Sequence, residues 1–88
     1  MLKSEVYKGL LNKFGKRHQL MIAIEEFSEL QKEICKLLRE KPVTDDLLQE
    51  IADCEIMLEQ LKAIVNQDSR IAYIKRYKLL RAEERYLK

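Results

Sequence analysis

Turn-forming residues are nearly absent from this chain, which has two glycines and one proline in 88 residues. That scarcity excludes a loop-rich or many-stranded fold and leaves a few long elements joined by short connections. Tryptophan is missing, and histidine occurs once, at His18. A single histidine excludes the paired Glu-x-x-His motifs of di-iron bundles and a histidine-based zinc site. Cysteine occurs twice, at Cys35 and Cys54, without C-x-x-C spacing. Both fall on apolar helical faces, so free, buried thiols in a reducing compartment are expected. The longest uninterrupted apolar run, Leu20 to Ile24, is far short of the ~20 residues of a membrane span. No signal-peptide h-region precedes it, and a cytoplasmic protein without a membrane partner is expected.

Charge is what the chain has in abundance. Charged residues make up 36% of it and hydrophobic residues 47%, with a net charge of only +2. The balance conceals an asymmetry. Residues 69 to 88 hold seven Lys/Arg against two Glu, a local charge of +5, so the remainder carries −3. An acidic middle and a basic tail suit a site that binds a cation and a polyanion together. A solvated helix surface is the plainer explanation of the tail.

No segment alternates with the period of two that marks a half-buried strand, and the expected fold is all-α. A first helix should run from Lys3 to Phe14 and stop at Gly15. A second should cover Lys16 to Glu40 and end before Pro42. Thr44 or Asp45 can cap a third that continues to Asn66, and Asp68 or Ser69 a fourth that reaches the C-terminus. The whole chain, 1–88, reads as one domain: a hairpin of two long helices with a short N-terminal and a basic C-terminal helix.

At about 100° per residue, Leu20, Ala23, Phe27, Leu30, Ile34 and Leu38 share one face of the second helix. Glu26, Glu29 and Glu33 form an acidic stripe beside it. On the third helix Leu47, Ile51, Cys54, Met57, Leu58, Leu61 and Val65 cluster, with Glu50 among them and Asp53 at the edge. That helix also carries Ala52, Ile56 and Ala63 on its other side. Apolar on two faces, it should be buried on two faces, the second by another subunit. A homodimer or homotetramer that completes the bundle is the expectation.

The acidic pairs Glu26-x-x-Glu29 and Glu50-x-x-Asp53 hold the chemistry. Residues three apart on a helix project side by side, so two such pairs on facing helices can aim four carboxylates at one point. Bare carboxylates gathered in an apolar setting repel one another and resist desolvation. A divalent cation removes both penalties, and an all-oxygen donor set favours Mg²⁺, with Mn²⁺ as substitute. The competing reading is a solvated acidic face bridged by Lys32, Lys36 and Lys62.

The stretch Glu25-Glu26-Phe27-Ser28-Glu29-Leu30, followed after 20 intervening residues by Glu50-Ile51-Ala52-Asp53, resembles the MazG-like all-α nucleoside triphosphate pyrophosphohydrolases. Gly15 and Gln19 before the first pair, and Lys78-Leu79-Leu80-Arg81 after the second, extend the likeness over most of the chain. Compactness is a departure, since many members are longer. The resemblance implies Mg²⁺ held by Glu26, Glu29, Glu50 and Asp53, and cleavage of a nucleoside triphosphate between its α and β phosphates. Glu29 and Glu25 are the candidate catalytic bases. Lys78 and Arg81 would bind phosphates by that likeness, and Lys75 joins them because it lies three residues before Lys78 on the same face. Gln19, near the start of the second helix, is a candidate for hydrogen bonding to base or ribose. His18 reads as an exposed capping-region residue, and Phe14, Tyr73 and Tyr77 as core rather than base-stacking groups. The alternatives are a non-enzymatic helical interaction module and a nucleic-acid-binding protein using its basic helix. The acidic centre and the absence of a helix-turn-helix pattern argue against the second.

Overall fold

Four helices and no strand make up the computed structural model, which describes residues 1–88: α1 (Lys3–Phe14), α2 (Lys16–Leu38), α3 (Asp45–Val65) and α4 (Asp68–Tyr86). The all-α expectation holds, and each helix lies within two residues of where its sequence pattern places it. α2 and α3 pack against each other most extensively, and α1 lies against both, whereas α4 has no comparable packing with any of them.

The boundaries have local causes. Gly15 joins α1 to α2 with φ 86° and ψ 158°, a backbone state that is essentially confined to glycine. Its N–H still donates to Leu11 O at 2.8 Å, while its carbonyl accepts from Gln19 N at 3.1 Å. The two helices can therefore change direction within one residue. α2 ends two residues before the expected Glu40 because Glu40 itself turns left-handed, at φ 59°. The Glu40 N–H donates to Leu37 O at 2.9 Å and the Lys41 N–H to Lys36 O at 3.0 Å. Those two bonds satisfy carbonyls that a helix end leaves open, in the Schellman pattern. Asn66 ends α3 in the same left-handed region, at φ 53°, where a short amide side chain is tolerated.

The expected side-chain caps are not made. Thr44 occupies the N-cap position of α3 without a side-chain bond, and Asp68 falls inside α4 rather than before it. Asp45, Asp46 and Asp68 instead place negative charge in the first turns, where the helix dipole favours it.

Burial departs from the sequence pattern in an informative direction. The buried residues are Gln19, Ala23 and Glu33 on α2, and Leu47, Cys54, Met57 and Gln60 on α3. Of the apolar faces expected on these helices, Ile34, Leu38, Ile51, Leu58 and Val65 remain exposed, Leu38 at 79%. Cys35, expected to be buried, is exposed, and so are Tyr73 and Tyr77. Ala23, Leu47, Cys54 and Met57 are buried as their positions in the apolar stripes predict, and the α2–α3 seam extends from them toward Glu26, Glu50, Asp53 and Gln60. Gln19 and Gln60 inside, with Leu38 and Leu58 outside, reverse the usual preference at those positions.

Candidate metal centre

The seam places carboxylates from two helices in register. The Cys54 thiol, on α3, donates to the backbone carbonyl of Glu26, on α2, at 3.3 Å. That bond sets position 26 beside position 54. Glu50 and Asp53, four and one residues earlier on α3, then fall on the Glu26 side of the seam. Carboxylate oxygens of Glu26, Glu50 and Asp53 all lie within 4.8 Å of one another.

The electrostatics of this trio are unfavourable as they stand. Glu26 is raised above its ordinary value of 4.5, first by burial and then by the negative charges of Asp53 and Glu50. Hydrogen bonds to those same carboxylates favour the protonated form of Glu26 further. One oxygen of Glu50, Oε2, is buried and has no hydrogen-bond partner. A buried, unpartnered carboxylate oxygen is costly unless a cation or a donor meets it. The Cys54 thiol is also raised, by burial first and then by Glu26, Glu50 and Asp53. It therefore stays protonated at neutral pH and offers no thiolate to a metal. The donor set consists of carboxylate oxygen, the hard-ligand set of Mg²⁺ or Mn²⁺.

The fourth carboxylate of the sequence motif stands apart. Glu29 is exposed and pairs with Lys32 at 3.2 Å. For this residue the salt-bridged reading describes the arrangement found, and it describes Glu33 with Lys36 at 2.8 Å and Glu59 with Lys62 at 3.4 Å equally well. Glu33 is buried, and its hydrogen bond and charge raise the Lys36 ammonium. Glu25 is exposed.

The candidate substrate groups divide in the same way. Gln19 is buried on the seam face of α2, seven residues before Glu26, rather than displayed at the helix end. Lys75, Lys78 and Arg81 are exposed on α4 and stand clear of the carboxylates. His18 is exposed and stacks on Phe14, with ring centroids 5.1 Å apart.

Gln60 escaped the sequence reading. It is 1% exposed, and both Oε1 and Nε2 lack partners. Its spacing was a signal, since it lies seven residues after Asp53 and therefore on the same side of α3. With Gln19 on α2, it makes two buried glutamines on the helices that carry the acidic trio. Comparison of the chain with protein-family models, with curated proteins and with solved structures finds no match.

Proposed function

We propose that this protein is a Mg²⁺-dependent nucleotide pyrophosphohydrolase that converts a nucleoside triphosphate to its monophosphate and pyrophosphate. One observation carries the reading: Glu26, Glu50 and Asp53 converge from two facing helices around a buried, unpartnered Glu50 oxygen. The family resemblance of the two acidic pairs supports the same chemistry.

Glu26, Glu50 and Asp53 would hold the ion. When bound, Mg²⁺ supplies neutralisation of phosphate oxygens and an acidified water at neutral pH. The chain's own residues account for the remaining requirements. Glu29 is one turn from Glu26, and its exposed pair with Lys32 is worth only about 0.2–1 kcal/mol. It is therefore free to turn toward substrate, either as a fourth ligand or as the base that takes a proton from the attacking water. Glu29 is preferred to Glu25 as base because it shares the Glu26 side of α2. The water oxygen bonds to the α-phosphorus, the α–β bridging bond breaks, and pyrophosphate leaves with the bonding pair. Lys75, Lys78 and Arg81 offer positive charge to that leaving group. Gln19 remains the candidate for contact with the nucleoside.

The working form on this reading is a homodimer or homotetramer. A compact monomer of 10.5 kDa exposes about 5,400 Å², whereas this chain exposes 7623 Å². The surplus of about 2,200 Å² per chain is on the scale that obligate subunits bury. The exposed stripe of Ile51, Leu58 and Val65 on α3 is the surface that a neighbouring copy would cover.

A panel of nucleoside triphosphates incubated with and without Mg²⁺ tests the activity. Metal-dependent appearance of monophosphate and pyrophosphate is the expected result, and release of inorganic phosphate from the γ position would overturn the proposed cut. The exposed apolar surface also favours a second reading, a non-enzymatic helical interaction module. A chain that associates but turns over no member of the panel would establish that reading instead.

A further inference from the structure

We propose that α4 docks on a second copy of this chain and delivers Lys75, Lys78 and Arg81 to that copy's carboxylate cluster. α4 is 19 residues long and lacks substantial packing against its own α1, α2 and α3. Helices of that length draw most of their stability from a buried face rather than from propensity. The face is present and uncovered: Tyr73, Tyr77 and Leu80, which share one side of the helix, are between 52% and 72% exposed. An apolar partner is needed, and the exposed Ile51, Leu58 and Val65 of another α3 are of that chemistry. A nucleic acid would satisfy the lysines and leave these side chains wet.

Charge points to the same occupant. Residues 69–88 carry +5 and the rest of the chain −3. No ion pair joins an α4 cation to Glu26, Glu50 or Asp53. The cluster thus has no basic partner in its own chain, and Lys75, Lys78 and Arg81 make no ion pair, the acidic residues Glu83 and Glu84 of α4 being paired with Lys88. Two chains related by a two-fold axis satisfy both deficits at once, because an exchanged element occurs twice in such a dimer. The connection from α3 consists of Asn66 and Gln67 alone, and a short hinge of this kind favours exchange over folding back. The destination of the basic side chains rests on the proposed function of the cluster; the exchange of the helix does not.

Zero-length carbodiimide cross-linking separates the two. Chains labelled with ¹⁴N and ¹⁵N are mixed in equal amounts, unfolded, refolded together and cross-linked, and the peptides are weighed. Amide bonds between Lys75 or Lys78 and Glu26, Glu50 or Asp53 are expected, about half of them of mixed isotope, as a random two-fold pairing requires. The Lys32–Glu29 pair within α2 is the internal control and should give same-isotope peptides only. Same-isotope α4 peptides alone, or none joining α4 to the cluster, overturn the proposal. Salt-sensitive binding of an oligonucleotide in the absence of mixed peptides would reassign α4 to an anionic polymer. If triphosphate hydrolysis is present, a second measurement follows. Glu50→Gln chains refolded with Lys78→Ala/Arg81→Ala chains should regain about a quarter of the wild-type rate, because half the dimers are mixed and each has one complete site. No recovery would overturn assembly of the site between copies. Mixed-isotope peptides from an enzymatically inert protein would retain the exchange and discard the proposed function.

Discussion

At the scale of single residues, Glu50 concentrates the consequences. Its Oε2 is buried without a partner, so neutralising the side chain removes both a ligand and a source of repulsion. Glu50→Gln is expected to abolish turnover and to weaken Mn²⁺ binding at least tenfold by titration calorimetry, while the far-ultraviolet helix signal is unchanged. Undiminished metal binding would remove Glu50 from the site. Glu26 predicts a pH dependence. Its carboxyl is raised in the folded chain, so between the ordinary value of 4.5 and the raised one the folded state binds more protons than the unfolded state. Stability of the metal-free protein should therefore fall as pH rises through that interval, and Mg²⁺ should suppress the fall. Thermal melts at successive pH values, with and without the ion, check the sign. Gln60 makes a separate case. Replacing a buried amide that has no partners by an apolar side chain of similar volume, Gln60→Met, should stabilise the chain by about 1–3 kcal/mol. A loss of stability instead would mean that Gln60 is paired in solution. The sequence disclosed the acidic residues but not which of them would meet. Spacing puts Glu26 and Glu29 on adjoining positions, and only the rotation of α2 in the seam determines that Glu26 faces α3 while Glu29 faces Lys32.

At the scale of the elements, helix limits follow short-range chemistry and were legible to within a residue or two. Gly15 interrupts the helical pattern, and its φ of 86° gives the reason. No neighbouring atom would obstruct a Cβ at Gly15, so the cost of Gly15→Ala is purely conformational. That cost should be about 1–3 kcal/mol in a chemical denaturation experiment. Glu40 is the converse, a residue with a Cβ held at φ 59°. Glu40→Gly relieves the left-handed strain and should stabilise the protein by roughly 0.5 kcal/mol, net of the added freedom of the unfolded chain. The end of α2 was misplaced by two residues because Pro42 is the visible stop. The actual stop is a left-handed residue whose identity, glutamate, carries no such signal.

At the scale of the whole molecule, the single chain is more extended than a compact globule of its length. The radius of gyration is 15.9 Å, whereas a compact chain of this length has one of about 12 Å. Association in solution should yield a mass of two or four chains by sedimentation, with a melting temperature that rises with protein concentration. Leu58→Glu, at a position half exposed in the single chain, should reduce that mass while leaving each chain helical. A concentration-independent mass of 10.5 kDa would contradict the oligomeric reading. That Ile51, Leu58 and Val65 form an apolar stripe is visible in the sequence, yet what meets it is not, because periodicity records that a face is apolar and says nothing of its partner.

The sequence by itself determined that this chain is helical, where each helix starts and stops to within two residues, and that α2 and α3 each carry a pair of acidic residues. Those properties depend on neighbours within a few positions, through backbone freedom, turn geometry and helical phase. Tertiary structure decided the rest: which carboxylates converge, which one is drawn off by a lysine, that Gln19 and Gln60 are buried while Leu38 and Leu58 are not, and that α4 stands away from the body. Each of these depends on the rotation and register of one helix against another. That choice is made by long-range packing, which a local pattern does not encode.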